Sequence, residues 1–335
     1  DPFADFGQWL SRYESAPADA KPGLVAEGVR LAKRREPAMR RLIATQPRLA
    51  LQHAVPRLAK LPDQISRHIE QHAEGLAEYT VTATCGGPGH RSCTVERTLE
   101  LNGQRLTPRW LGRRVHLGSK RGLPVHGIVL GGQMAVADEP ARELSAAEKT
   151  ALGLPANQTV LSLAGERRVF DSPTEAEAWQ QQLVAAEQVP GPEVRLRTVD
   201  KRGPSVSWTT GNKRILFIRV DFPDREGNPL NDEATAFAMR RTNEFLGDNS
   251  YGKFTIETVL VPGVLRMPKP AAWYQAEPES RDDELLAHGR NAAKELDAKY
   301  NYRNHDLYIV CFDSIFDGWA GKARVGTIGL WLNGG

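Results

Sequence analysis

Apolar positions in the first 78 residues recur at helical intervals. Leu24-Val25, Val29, Leu31-Ala32, Met39 and Leu42-Ile43 fall three and four residues apart, with Lys33, Arg34, Arg35, Arg40 and Arg41 between them. The spacing predicts helices that bury the first set and leave the cations on a solvated face. Pro47, Pro56 and Pro62 punctuate the short segments that follow. Over residues 79–136 the period shortens to two, and Asn102-Gly103 between Leu99-Glu100-Leu101 and Arg105-Leu106 predicts a hairpin turn. Helical signals return at 145–152 and 172–186. Ser172-Pro173-Thr174-Glu175 supplies a cap, a first-turn proline and an acidic first turn. Pro190-Gly191-Pro192 and Gly203-Pro204 then frame a linker over 189–204.

Beyond the linker the chain restarts with Ile215-Leu216-Phe217-Ile218-Arg219-Val220, the near-continuous apolar run of a strand covered on both faces. A helix over 233–246 follows, with Ala234, Phe237, Ala238 and Phe245 inward, ended by Gly247 and the Asp248-Asn249-Ser250-Tyr251-Gly252 turn. A strand from Phe254, a helix over 282–300, an apolar strand over 307–312 and a last strand over 326–332 complete the pattern. Alternating strands and helices predict α/β layering. The whole chain therefore reads as α+β, with a helical segment 1–78, a β-rich segment 79–188, the linker 189–204 and an α/β domain over 205–335.

The 335 residues are 40% hydrophobic and 25% charged, enough for more than one packed core, which excludes a disordered or fibrous chain. No run approaches the roughly 18 uninterrupted apolar residues of a membrane span. Charge is uneven. Residues 1–125 hold 20 basic against 12 acidic side chains, and residues 206–335 hold 16 against 18. A basic N-terminal third has the sign that nucleic acid requires, but its arginines lie at helical spacing without interleaved aromatics. A solvated helix face is the expectation, and nucleic acid is not an expected partner. Asp1-Pro2-Phe3 opens with neither a basic n-region nor an apolar h-region, so the chain reads as cytosolic or as one whose leader has been removed.

Cys85 and Cys93 bracket a turn-rich tip between two β-type runs, a placement suited to a disulfide worth about 2 kcal/mol by chain entropy. Such a bridge points to an oxidising compartment. The rival is a zinc site from Cys85, His90 and Cys93, which lacks a fourth ligand. Cys311, inside an apolar strand, reads as a buried, inert thiol. Of the eight histidines, His68 and His72 alone have i, i+4 spacing, with Glu70 and Gln71 between them; no His-Glu-x-x-His occurs. Asp221, Asp224 and Asp232 belong to an oxygen-rich loop that is either a calcium site or a solvated acidic loop capping the next helix. There is no Gly-x-Ser-x-Gly elbow.

Several short stretches of the last domain carry a resemblance. They are Trp208-Thr209-Thr210-Gly211, Asn249-Ser250-Tyr251-Gly252-Lys253, Arg266-Met267-Pro268, Trp273-Tyr274, Gly318-Trp319-Ala320-Gly321-Lys322-Ala323 and Trp331-Leu332-Asn333-Gly334. Together they resemble the N-terminal half of the catalytic domain of secreted zinc metallopeptidases, the gametolysin-like and immune-inhibitor-A-like groups of the zincin clan. Leu31-Ala32-Lys33-Arg34-Arg35, Leu42-Ile43 and Ala54-Val55-Pro56 are similar to the pro-region upstream of such domains. The resemblance implies a zymogen: a pro-region packed on part of a secreted endopeptidase that hydrolyses peptide bonds in extracellular proteins through zinc-activated water. Its substrate is a protein or peptide, its activating cut falls in the linker, and its leader has been removed. No catalytic residue is expected in this chain, since the zinc ligands and general base are expected beyond Gly335. The resemblance also implies that Gly326, Thr327, Ile328, Gly329, Leu330 and Trp331 form an edge strand that pairs with extended substrate. The alternatives are a catalytically inactive relative used for binding or adhesion, and an unrelated two-domain extracellular protein. The Arg/Ala/Leu-rich composition points to a bacterial source.

Overall fold

A computed structural model describes residues 1–86, 93–110, 112–189 and 210–334; of the expected linker only Val189 is among them. The protein is mixed α+β, with helices first and sheet-rich regions after them. It divides into two compact units, one of Asp1–Thr80 with Arg97–Lys201 and the other of Val81–Glu96 with Arg202–Gly335. No described helix is long and apolar enough to cross a membrane.

The first unit opens with helices α1 (Pro2–Ser15), α2 (Lys21–Thr45), α3 (Pro47–Gln52) and α4 (Asp63–Ser66). Phe6, Trp9, Leu10 and Tyr13 of α1 pack on Leu31 and Ala32 of α2, as their spacing requires. Gly28 lets the two helices meet, because a Cβ there would stand 2.3 Å from the Trp9 ring. One cation departs from expectation. Arg35 is buried, not solvated, and its guanidinium pairs with the buried Glu70.

Strands β1 (Gln71–Cys85), β2 (Cys93–Leu101), β3 (Gln104–Arg109), β4 (Lys120–Leu130) and β5 (Gln133–Val136) follow. The hydrogen-bonded order runs β1-β2-β3-β5-β4, and β4 returns to residues 71–79 of β1. Asn102 and Gly103 both take positive φ between β2 and β3, the two-residue turn that Asn-Gly favours. Met39 and Ile43 of α2 seat against Ile128, Leu130 and Ala135.

The stretch after β5 holds structure that periodicity missed. β6 (Arg142–Glu143), β7 (Thr159–Leu163) and β8 (Glu166–Phe170) form a separate small sheet, with a tight turn at Ala164-Gly165. Helices α5 (Ala146–Ala151) and α6 (Pro173–Gln188) match expectation. Ser145 and Glu148 make a reciprocal capping box on α5, and the Ser172 side chain accepts from the Glu175 N–H on α6. Glu187 at the end of α6 accepts from the buried Arg114 at 3.0 Å; burial pushes the Glu187 carboxyl up and the Arg114 guanidinium down.

His126 of β4 makes the stability of this unit depend on pH. Burial, aided by the nearby Arg114 and Arg142 cations and opposed by Glu74, holds its imidazole down at about 4, against an ordinary 6.5. On acidification the unfolded chain binds the proton first, so stability present above pH 6.5 is lost as the pH falls toward 4. The expected loss is on the order of 2–3 kcal/mol. Urea unfolding of His126→Gln should remove that slope between neutral pH and about pH 4.5, whereas parallel curves for variant and wild type would refute the assignment.

The second unit contains β9 (Gly211–Asp221), α7 (Asp232–Asn249), β10 (Phe254–Leu260), β11 (Leu265–Arg266), α8 (Ala271–Ala276), α9 (Pro278–Leu296), β12 (Leu307–Phe312), β13 (Gly321–Arg324) and β14 (Gly329–Asn333). Strand order is β10-β9-β12-β14-β13, parallel from β10 to β14 and antiparallel at β13. β9 is covered on both faces, as its apolar run requires. Leu216, Ile218 and Val220 meet Leu285, Leu286 and Ala293 of α9, while Ile215 and Phe217 meet Met239 of α7. Helix α7 is rotated from the sequence expectation: Phe237 and Phe245 are exposed, and Thr235 and Met239 point inward. Asn243 also faces the sheet, accepting from the Ile256 N–H at 2.7 Å.

Candidate functional site

In a sheet with parallel strands, ligands bind beyond the carboxyl ends of those strands and along any unprotected edge. At the carboxyl end of β9, Asp221 is buried and takes a two-pronged contact from Arg266, at 2.6 Å to Nε and 3.0 Å to Nη2. Asp224 accepts from the Ala271 and Ala272 N–H groups that open α8, and those bonds lower its carboxyl below the usual range. Asp232 pairs with Arg219. The calcium expectation drew on these same three side chains, Asp221, Asp224 and Asp232. The three carboxylates serve three separate partners, and no group of three or more His, Cys, Asp or Glu side chains among the described residues is placed to hold a metal ion.

At the carboxyl end of β14, Asn333 is 3% exposed and spends all its hydrogen-bonding capacity on one loop. Its Oδ1 accepts from the Ile315 and Phe316 N–H groups at 2.8 and 3.2 Å. Its Nδ2 donates to the Phe316 and Trp319 carbonyls at 2.7 and 2.5 Å. The loop carries Phe316 stacked on Trp319, with centroids 5.3 Å apart, beside Phe312 at the end of β12. Sequence reasoning named Asn333 only as part of a turn and of a resembling stretch, not as a loop anchor; the signal for the anchor was a lone polar residue closing an apolar strand.

The edge-strand expectation for 326–331 is corrected. β14 is hydrogen-bonded on both sides, parallel to β12 and antiparallel to β13. Gly326, Thr327 and Ile328 lie in the β13–β14 turn, where Gly326 takes φ +92°. Gly329 faces the Tyr308 hydroxyl, which would stand 2.6 Å from a Cβ. Leu330 packs with Ile309 and Cys311 in the layer under α7. Trp331 is 1% exposed, and its indole N–H donates to the Asp282 carbonyl at 2.8 Å. Both edges are occupied because the chain doubles back through β13 before β14 forms, which periodicity cannot reveal.

β13 takes the outer place instead. Its Lys322 pairs with the buried Asp282, and Arg324 reaches Asp283 at 2.6 Å; both cations stand over the Trp331 ring. Burial pushes the Asp282 carboxyl up although Lys322 opposes it. The outer side of β13 is lined by β1 in antiparallel register, from Thr82 opposite Arg324 to Cys85 opposite Gly321. Val325 N–H donates to the Val81 carbonyl and Ala320 N–H to the Cys85 carbonyl, both at 2.9 Å.

Cys85 and Cys93 are joined, with Cα atoms 4.2 Å apart, so their sulfurs are not free to ligate zinc; His90 lies outside the described residues. Cys311 is the buried free cysteine, its thiol pushed up to about 12 by burial. Thiol titration of unfolded, unreduced protein should therefore find one thiol, and native protein none at pH 8. Three titratable thiols would refute the bridge. The His68 and His72 rings go separate ways, to Glu36 and to the Val55 carbonyl. Comparison of the chain with known protein families, curated proteins and solved structures returns no match.

Proposed function

We propose that this chain is the precursor portion of a secreted zinc-dependent endopeptidase. The first unit then belongs to the pro-region, and the second supplies the sheet over which a peptide substrate lies. The observation that supports this reading best is the strand arrangement β10-β9-β12-β14-β13, in which a single antiparallel strand flanks a parallel run and holds the extended residues 82–85 of β1 along its other side. A strand in that position holds an extended polypeptide through main-chain donors and acceptors, independent of its side chains. The short sequences that resemble metallopeptidases frame this same sheet, from Gly211 at the start of β9 to Asn333 at the end of β14.

The reading places the zinc ligands and general base outside these 335 residues, so no chemical step is assigned to residues of this chain. What the chain contributes is position. Asn333 anchors the 315–319 loop at the end of β14, and the Asp282–Lys322 pair ties β13 to α9. The gene region beyond Gly335 tests the proposal. A His-Glu-x-x-His codon run there, together with cleavage of an unfolded protein that chelator abolishes and zinc restores, is the expected result. An uninterrupted reading frame without that run would sink the peptidase reading and leave a binding module that uses the same sheet.

A further inference from the structure

The β1–β2 hairpin departs from the rest of its sequence neighbourhood. Residues 81–86 and 93–96 group with the second unit, whose remaining strands begin at Gly211, while the residues on either side of the hairpin belong to the first unit. Its first strand lies on β13, and the two edges of β13 are held by different means. Toward β14 the sheet is backed by the core that contains Trp331, Tyr308 and Leu286. Toward β1, residues 82–84 and all four residues of β13 are only half-buried, and none of them belongs to a core cluster. The arm itself is Val81-Thr82-Ala83-Thr84-Cys85, extended, uncharged and small, with Ala83 opposite Ala323. Main-chain hydrogen bonds therefore carry most of this junction, as they do when a free peptide adds to a sheet.

We propose that residues 81–85 are a built-in blocking strand, seated on the outer edge of β13 in the place of an extended peptide and kept there by the Cys85–Cys93 bridge. The proposal rests on the peptidase reading only for what the vacated edge would receive; the blocking is a property of the arm. A four-residue ladder over Thr82–Cys85, with Val81 the one buried side chain of the arm, is a weak junction, since each net hydrogen bond contributes about 1 kcal/mol. Closing the hairpin with a bridge across eight residues lowers the entropy lost on docking the arm. Reduction, or a cut within the hairpin, should therefore open β13 without disturbing β14.

The test uses the full chain in three forms: wild type, Ala83→Pro, and Cys85→Ser/Cys93→Ser. Val81 and Val325 form a hydrogen-bonded pair, so alternation along the ladder makes Ala83 and Ala323 the next such pair, and proline at 83 removes its donor. Amide exchange at Val325, whose N–H is held by Val81, should be about tenfold faster in Ala83→Pro than in wild type, with β12 and β14 amides unchanged. A dye-labelled Thr-Val-Thr-Ala-Thr peptide, the sequence of residues 80–84, should bind Ala83→Pro about tenfold tighter than wild type. The double serine variant should fall between the two and guards against a proline variant that fails to fold. Equal peptide binding by all three forms, or a Val325 amide as fast in wild type as in the variants, overturns the proposal. Neither measurement involves zinc or cleavage, so either can fail while the peptidase reading stands, and the reverse also holds.

Discussion

Glu70→Ala is expected to lower the stability of the first unit by about 3–5 kcal/mol, the usual cost of stranding one member of a buried ion pair. Arg35 and Glu70 are both almost fully buried. One Glu70 oxygen accepts from Arg35 Nη2 at 2.8 Å and from the Val55 N–H at 2.7 Å, the other accepts from Arg35 Nη1, and Nη2 also donates to the His53 carbonyl at 2.7 Å. The rings of Phe3 and Phe6 flank the guanidinium at 5.3 and 5.6 Å. Alanine at 70 leaves a cation in an apolar pocket and an amide without an acceptor, so the penalty is desolvation that no water can repair. Replacing both partners with apolar residues, Arg35→Met/Glu70→Leu, should recover most of the loss, because no buried charge then remains. Urea unfolding of the three proteins gives the answer. A single-variant loss below about 1 kcal/mol would show that the pair is hydrated and the assignment wrong.

Trp331→Ala should cost the second unit a similar amount, about 3–5 kcal/mol, from the cavity left in its main core and the stranded Asp282 carbonyl. Trp331→Phe keeps most of the packing and loses the indole donor, for about 1–2 kcal/mol. The comparison separates two roles for this side chain. A tryptophan lining a substrate subsite would leave stability within about 0.5 kcal/mol on truncation, since exposed substitutions rarely matter more. At 1% exposure, with Lys322 and Arg324 over its ring, Trp331 is a core side chain and not a subsite wall. Unfolding followed by circular dichroism avoids the change in fluorescence that removing a tryptophan brings.

Local chemistry was legible in the sequence wherever neighbours along the chain decide the outcome. The apolar runs of β9 and β12, the Asn102-Gly103 turn, the Ser172 cap of α6 and the mixed α+β class all follow from residues within a few positions of one another. The candidate site was less legible, because its parts depend on pairings across long stretches of chain. Nothing near Trp331 says that β13 lies beyond β14, and nothing near Ala83 says that its partner is Ala323. An edge strand and an interior strand of similar composition differ only in what the tertiary fold sets beside them. Arg35 illustrates the same limit. Its helical position put it among the solvated arginines, and only the arrival of Glu70, 35 residues later, makes its burial tolerable. Helical and strand periods report which positions face inward, whereas the identity of the partner across the core, and so the fate of a charge or a free edge, is decided by chain topology alone.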